Sequence, residues 1–350
     1  MKATSVSTPG LSNAMRYSQM RVQVDLTKAL KELDTGRVAD VGLALGARTA
    51  QSVTFARDLE RLKTVIDSNG LVSARLKSTQ DALGQLSSQA QTLLSSLMAN
   101  TSGDLTGNVT SNSGKAALQS LTTILNTSIN GEFLFAGTNT DVKPIDDFNA
   151  PGSPAKAAFD ASFLAYFGFD KDDPAAAGIT AANMENFLTT VVEPQFLGSD
   201  WKTNWSSATD QPIVSRIALN ETTETSVNAN TEGMRKLAMA AAIVSQLVSG
   251  SVGESARQAV VSRAVTLVGE SLGDFSLTMS QTGIVEQRVN DANTRMQTQT
   301  DLFKRHVLDL EGVDSYEAAN RVSDLEGHLQ TSFALTARIK QLSLLNFLTP

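Results

Sequence analysis

The chain has no cysteine, only two histidines and few aromatic residues, and these shortages exclude several kinds of chemistry. Without cysteine it forms no disulfide, uses no thiolate nucleophile and binds no metal through sulfur. The histidines, His306 and His328, lie in one long helical pattern, about 33 Å apart along a straight axis at 1.5 Å per residue. They cannot meet at one site within a straight helix, so we expect two solvated side chains.

Basic charge and long apolar runs are also missing. The net charge is −7 and the sequence pI is about 5.0, so a generally basic surface for nucleic acid is not expected. No apolar run reaches the length of a membrane span. The first residues, MKATSVSTPGLSNAM, lack the continuous apolar region of a secretory signal peptide, so we expect any export to proceed without one.

Sequence motifs for catalysis or ligand binding are not found. VGLALG is neither a dinucleotide-binding nor a Walker motif, and no G-x-S-x-G occurs. In the acidic run FDKDDPAAAGIT, proline follows where the spaced ligands and central glycine of a calcium loop belong, so we interpret the run as a surface turn. The sequence therefore predicts no enzyme, no catalytic residue, no cofactor and no metal.

Proline has an uneven distribution. Six of the eight prolines fall between 144 and 212, and so do both tryptophans. Because proline breaks helices, this predicts two helical arms, 10–143 and 213–349, on either side of an irregular, aromatic-rich middle. The pair Trp201 and Trp205 either anchors a small core or forms a ligand platform, and we expect the core.

Both arms carry apolar residues at alternating spacings of three and four, which is typical of coiled coils and helical bundles. In the first stripe the polar Ser18 occupies one position. Glycine-rich segments at 36–46 and 100–118, and Gly312, predict breaks between helices. The terminal stripes consist of Leu11, Met15, Val22, Leu26, Leu33, Leu325, Leu329, Phe333, Ile339 and Leu342.

Two segments have the character of β-structure. In GEFLFAGTNTD, alternating Phe133 and Phe135 before a turn-forming GTNTD predict a strand and hairpin. The segment PIVSRIALNETTETSVNAN predicts two strands around LNET, and a helix over 231–249 follows.

The last residues, QLSLLNFLTP, are strongly apolar. Burying their five large side chains contributes roughly 8–15 kcal/mol, and ordering the ten residues costs about 15 kcal/mol. These side chains point in several directions around a helix, so full burial needs neighbours on several sides. We therefore predict that both termini are disordered in isolated subunits and become helical on polymerisation. The alternative is that the tail docks on the core of its own domain.

Together these features resemble the bacterial flagellin superfamily, and within it the branch of hook–filament junction proteins, also called hook-associated protein 3. The similarity rests on heptad helices at both chain ends, FLFAGTNTDVKPI after the third helix, SVNANTEGMRKLAMAAAI at 226–243, and the ending SLLNFL. At 36–48, GRVADVGLALGART replaces a Ser-Asp-Asp-Pro-like turn, so no family contact is carried over there. The positions that match the segment of this branch are Gly131, Phe133, Phe135, Gly137, Thr138 and Pro144.

The resemblance implies a mainly α fold. Long N- and C-terminal helices would form a coiled coil and helical bundle, with a β-hairpin and a small α+β outer domain inserted in the middle. The implied parts are an inner coiled-coil segment at 1–48, a bundle with hairpin at 49–143, a variable outer domain at 144–225, the second half of the bundle at 226–300, and an inner coiled-coil segment at 301–350.

The resemblance also implies a structural role, as the subunit that joins hook to filament. It would self-assemble through its terminal helices, including Leu345, Phe347 and Leu348. Its partners would be copies of itself, other hook-associated and flagellin subunits and an export chaperone, with no nucleic acid and no membrane insertion. It would lie in the extracellular flagellum after export through the flagellar type III channel. Two alternatives stay open: a major filament flagellin, and a type III-secreted coiled-coil effector or translocon protein.

Overall fold

A computed structural model of the chain describes the backbone of residues 8–99 and 107–348, and the same side chains except those of 8, 9, 11 and 339–348. In chain order the α-helices are α1 (Thr8–Thr35), α2 (Val41–Leu45), α3 (Thr49–Ala99), α4 (Asn108–Leu125), α5 (Pro154–Phe167), α6 (Ala181–Phe187), α7 (Glu193–Leu197), α8 (Asp200–Asn204), α9 (Glu232–Leu247), α10 (Glu254–Glu311) and α11 (Ser315–Leu348). Strands β1 (Ser128–Ile129) and β2 (Glu132–Phe133) form one antiparallel hairpin, and β3 (Val214–Ala218) and β4 (Glu221–Glu224) form another. The predicted mainly α class is confirmed.

The chain divides into two compact units. The first comprises Met1–Thr64 with Met296–Pro350, and the second comprises Val65–Arg295. In the first unit the predicted breaks near Gly36 and Gly312 are present. Asp40 caps α2 by accepting a hydrogen bond from the Leu43 amide at 3.0 Å.

The break predicted at 100–118 is wrong in its second half, because α4 already begins at Asn108. Its Gly, Asn and Ser residues have low helix propensity, but tertiary packing overrides that preference. Gly114 lies so close to α9 that an added Cβ would be 2.8 Å from the Ser245 nitrogen. The small residues therefore permit close packing of two helices.

The irregular middle predicted from proline is also wrong, because this region is largely helical. Pro154 opens α5, Pro194 lies in the first turn of α7, and Pro174 begins a 3₁₀ turn that ends at Gly178. Proline is tolerated at the first position of a helix, where its missing N–H would have no intrahelical partner. A π-helical turn, Leu188–Val192, joins α6 to α7.

The two hairpins differ in how well the sequence located them. β1 and β2 turn at Asn130 and Gly131, whose φ angles of 52° and 87° suit a two-residue hairpin turn. The hairpin predicted at GTNTD is therefore misplaced, since the turn precedes Phe133. The strands predicted around LNET are confirmed as β3 and β4.

The aromatic residues of the second unit form a buried core. The rings of Trp201 and Trp205 stack with centroids 5.3 Å apart, and Trp205 stacks on Phe148 at 5.0 Å. The Trp201 indole N–H donates to Oδ1 of Asn230 at 2.9 Å. Because both tryptophans are buried, the ligand-platform interpretation is wrong and they belong to the core.

Asp160 of α5 gives this unit a pH-dependent contact. Partial burial raises the pKa of its carboxyl, but hydrogen bonds from Lys156 and Lys171 and their charges outweigh burial, and the pKa is lowered from 3.8. A carboxyl whose pKa is lower in the folded state stabilises above its unfolded pKa and loses this contribution as the pH falls.

We therefore expect Asp160→Asn to lower the free energy of unfolding by about 1 kcal/mol at pH 7, a figure reduced for solvent screening. At pH 2.5 the loss should be smaller, because the contribution of the charge declines once the pH falls below the unfolded pKa of 3.8. Urea unfolding at both pH values measures this difference. An equal loss at both would contradict the assigned role of the charge.

Candidate assembly surface

The terminal helices α1 and α11 pack against each other in the first unit through one narrow stripe. Its positions recur every three or four residues, as expected for the contact face of a helix pair. Ala29 and Ala318 are fully buried, and most other members are half-buried. The inward positions are Met15, Gln19, Val22, Leu26 and Ala29 on α1, and Ala318, Val322, Leu325, Leu329, Ser332 and Thr336 on α11.

On α1 the polar position of this stripe is Gln19, so the assignment of Ser18, which is exposed, is corrected. The Gln19 amide donates to the Ser332 carbonyl at 3.2 Å and to Oγ1 of Thr336 at 2.9 Å. After Leu329 the contact face thus continues through Ser332 and Thr336. Phe333, which was placed in the stripe, is turned away and is 51% exposed.

Of the other residues predicted for the stripe, some face the partner helix and some do not. Met15, Val22, Leu26, Leu325 and Leu329 face the partner helix, whereas Leu33 is exposed. The backbone of α11 is helical through Leu348. The predictions for Leu11, Ile339, Leu342, Leu345, Phe347 and Leu348 lie outside the residues whose side chains are described.

A second apolar face lies on the opposite side of α1. Tyr17, Met20 and Val24 are 68%, 52% and 53% exposed. At 3.6 residues per turn, their centre lies roughly 170° around the axis from the buried stripe. Single exposed apolar side chains are ordinary, but three on one face at helical spacing make an unpartnered surface. Sequence reasoning missed this face, although its spacing of three and four was a usable signal.

Two backbone hydrogen bonds connect the segment that follows α1 with the junction between α10 and α11. The Val38 amide donates to the Glu311 carbonyl at 2.8 Å, and the Val313 amide donates to the Gly36 carbonyl at 3.0 Å. These bonds flank a bridge between Arg37 and Gly312. The two predicted breaks therefore form one joint.

Two largely buried carboxylates support this joint. Glu311 accepts hydrogen bonds from the Ser52 hydroxyl and, at 3.4 Å, from Arg37. Glu32 accepts from the Ala39 amide at 3.1 Å and from Arg321 at 2.9 Å. Sequence reasoning missed both carboxylates, because partners so distant in sequence leave no periodic signal.

The family-like segment lies in the second unit, where α3 holds its hairpin. Phe135 is fully buried. Arg75 of α3 donates one hydrogen bond to the Glu132 carboxylate and another to the Phe133 carbonyl, both at 2.8 Å. The start of the segment is thus fixed to a long helix through both side chain and backbone.

The rest of the segment packs on residues 206–209. Gly137 has φ of 66°, and a Cβ there would lie 2.4 Å from the Thr209 carbonyl oxygen, so only glycine fits. The Thr138 amide donates to Oγ1 of Thr209 at 2.8 Å, and the buried Pro144 accepts from the Ser207 amide at 2.9 Å. The segment is a packed structural joint.

Among the described residues, no group of three or more His, Cys, Asp or Glu side chains is placed so that it could hold a metal ion. His306 stacks on Phe55 with ring centroids 5.2 Å apart, and His328 is exposed. In the same part of the chain, no helix has both the length and the hydropathy of a membrane span.

Comparison with known proteins gives two family matches and a related fold. Residues 6–140 match the bacterial flagellin N-terminal helical region, and residues 265–348 match the bacterial flagellin C-terminal helical region. A solved structure described as a flagellar hook-associated protein from Vibrio parahaemolyticus is similar, with a TM-score of 0.52 and 12% sequence identity over 75% of this chain and 97% of that chain. At this identity the similarity concerns the fold. No curated protein sequence matches.

Proposed function

Because the chain belongs to the bacterial flagellin superfamily, we propose that it is the structural subunit that joins the flagellar hook to the filament. Members of this family are structural proteins that self-assemble with other flagellar subunits in the extracellular flagellum. The junction role is narrower than the family. It is supported by FLFAGTNTDVKP, the segment that resembles the junction branch.

Two opposite apolar faces on α1 support the proposal that the subunit self-assembles. One face is covered by α11, and the other presents Tyr17, Met20 and Val24 to solvent. Covering the exposed half of three such side chains would contribute roughly 3–5 kcal/mol, since complete burial contributes about 1.5–3 kcal/mol each. Association itself costs about 4–15 kcal/mol, so one such contact is marginal and several neighbours are needed. A polymer of parallel subunits provides them.

In this proposal the two ends of the chain together form the inner part of the subunit. Residues 1–48 and 301–350 form the inner coiled coil, 49–143 and 226–300 the surrounding bundle, and 144–225 the outer domain. The assembly residues include the stripe on α1 and α11, the exposed Leu33 and Phe333, and the apolar tail from Ile339 to Leu348.

The proposed partners come from the family resemblance. They are copies of the chain, other hook-associated and flagellin subunits, and a dedicated export chaperone. Export would run through the flagellar type III channel without a cleaved signal peptide. Neither nucleic acid nor a membrane belongs to this set.

A major filament flagellin is the second candidate, because the two matched models describe flagellin in general. A type III-secreted effector or translocon protein is the rival of another class. Position and copy number on isolated flagella separate these candidates. A tagged junction protein appears as one small ring between hook and filament, whereas a filament flagellin labels the whole filament.

Deletion of the gene tests the junction role directly. We expect cells with intact hooks that shed unpolymerised flagellin and do not swim, and we expect the wild-type gene to restore filaments. Cells that keep filaments of normal length and number would contradict the junction role. Normal motility with a secreted, non-flagellar product would support the effector.

A further inference from the structure

A groove runs between α3 and α4 in the second unit, with a volume of about 1140 Å³. Beyond one end of it the two helices are joined by a hydrogen bond of 2.7 Å between the hydroxyls of Ser96 and Ser113. On α3 the lining extends from Gln80 to Thr92, about 18 Å at 1.5 Å per residue. The groove is therefore long enough to receive several turns of another helix.

Charge is nearly absent from this α3–α4 groove. Among the described residues that line it, Asp81 at one end is the one that carries a charge. From Ala82 to Ala99 the sequence of α3 has no charged residue, although 19% of the whole chain is charged. Charged residues are depleted where protein surfaces bury each other. The groove thus has the composition of a surface that another surface covers.

Small residues give the groove room for side chains from outside. Gly84 and Ser88 are one helical turn apart on α3, and Ala116 and Ser120 have the same spacing on α4. A Cβ added to Gly84 would meet no atom within 4 Å. The half-buried Ile124 adds an apolar contact at one end. A groove of this kind accepts the side-chain ridge of a third helix.

The outer face of α10 in the same unit carries such a ridge. Leu277 and Ile284 are 59% and 62% exposed, although both are large apolar side chains. They are two helical turns apart on one face, and the exposed Gln281 lies between them. We call these three residues the α10 ridge.

The surroundings of the α10 ridge also lack charge. Between Glu270 and Arg288 no exposed residue of α10 is charged, over a length of about 25 Å. Asp274 and Glu286 lie in this stretch but are half-buried, and Asp274 pairs with Lys236 at 3.0 Å. Ridge and groove therefore agree in length and in their lack of charge.

The ridge cannot enter the groove of its own chain. It lies roughly 130° around the axis of α10 from the buried positions Phe275, Thr282 and Val289. Gly283, whose added Cβ would lie 3.3 Å from Nε2 of Gln80 at the end of the groove, is also about 130° from the ridge. The ridge thus points away from both the core and the side of α10 that meets α3.

Charge also distinguishes the ridge from the exposed face of α1. The face formed by Tyr17, Met20 and Val24 is flanked by Arg16 and Arg21, both exposed. Placing these guanidinium groups against an uncharged groove would remove them from water without an ionic partner, which is costly. The α10 ridge brings no such cost.

We propose that the α3–α4 groove of one subunit receives the α10 ridge of a second copy of the same chain. The inference rests on the proposed self-assembly and adds a contact that does not involve the terminal helices. Because groove and ridge are different patches, the contact is heterologous and leaves a free groove on one copy and a free ridge on the other. Such contacts continue into a ring or a helical polymer.

Cross-linking between two singly substituted chains tests this contact, because the natural chain has no cysteine. One chain carries Ser88→Cys in the groove and the other carries Gln281→Cys on the ridge, both at exposed positions. Equal amounts are assembled and treated with a bismaleimide that spans about one helical turn, so that a small offset along the groove is tolerated. Mass spectrometry then quantifies the linked peptides.

We expect the 88–281 product to exceed the 88–88 and 281–281 products by at least about tenfold, because docked sites are held at a high effective concentration. Adding Leu277→Asp and Ile284→Asp to the ridge chain should reduce it to background, with unchanged helical circular dichroism. The matched control is Asn290→Cys in place of Gln281→Cys. Asn290 is also exposed on α10 but lies about 180° around the axis from Gln281, so its product with Cys at 88 should stay at background.

The contradicting outcomes separate this contact from the proposed function. A polymer without the 88–281 product would overturn the contact and leave assembly through the terminal helices intact. A dominant 88–88 product would mean that two grooves face each other, and a groove that cross-links in isolated flagella only to a different flagellar protein would exclude a second copy as its occupant. Chains that stay monomeric at every concentration would contradict both the contact and the proposed self-assembly.

Discussion

A subunit carrying Met20→Asp and Val24→Asp should fold but should not assemble. Both side chains lie on the face of α1 opposite the stripe that packs on α11, so the helix pair itself loses no contact. Contact with an assembled neighbour would lose about 0.8–1.5 kcal/mol per half-exposed side chain, and two carboxylates would be forced into an apolar interface. The concentration needed for assembly should therefore rise by at least about 100-fold.

Sedimentation of the polymer across a concentration series measures this effect. The matched control is Gln23→Asp, which adds a carboxylate to an exposed polar position of the same helix. It should change the assembly concentration only a few-fold, by screened surface charge. If the double variant assembled like wild type, the exposed face would have no part in the polymer.

Gly114→Val should strongly destabilise the second unit. A Cβ at this position would lie 2.8 Å from the Ser245 nitrogen and 2.9 Å from both the Ala241 carbonyl oxygen and Cγ1 of Val244. Two of these neighbours are backbone atoms of α9, a helix buried on all sides, so they cannot move away locally. Overpacking of this kind costs about 3 kcal/mol. For a unit of the size of Val65–Arg295 we expect the melting temperature to fall by roughly 6–12 °C.

Gly269→Ala in α10 is the control, and we expect it to stabilise the chain. It is exposed, and an added Cβ would meet no atom within 4 Å. Replacing a helical glycine by alanine at an open site should raise the free energy of unfolding by about 0.5–1 kcal/mol. Thermal unfolding followed by circular dichroism compares the two variants. A neutral Gly114→Val would show that the packing between α4 and α9 is not as tight as described, and a destabilised Gly269→Ala would show that the site at Gly269 is not open.

Periodic features were the part of the fold that the sequence could predict. Spacings of three and four located the long helices, and turn residues located the β3–β4 hairpin, because both signals are local. Proline misled because its effect depends on position: Pro154 begins a helix and does not interrupt one. Low helix propensity misled near Gly114, where contact with α9 decides the structure.

The candidate assembly surface was predictable to a smaller extent. The apolar stripe fixed the general face of each terminal helix, but a small error in helical phase put Ser18 in place of Gln19 and Phe333 in place of Ser332 and Thr336. The carboxylates of Glu32 and Glu311 bring together residues that are distant in sequence. No local pattern encodes such contacts, so they become visible only in the folded chain.

Hydrogen exchange of the subunit before and after assembly tests the central claim most directly. The claim is that the terminal helices, 8–35 and 315–348, cover only one stripe of each other within one chain and depend on neighbouring subunits to cover the rest. In dilute subunits we predict that their amides exchange at least about 100-fold faster than those of α4 and α9, as expected for elements with little buried apolar surface. On assembly this difference should largely vanish. Terminal amides as slow as those of α4 and α9 in the isolated subunit would contradict the account.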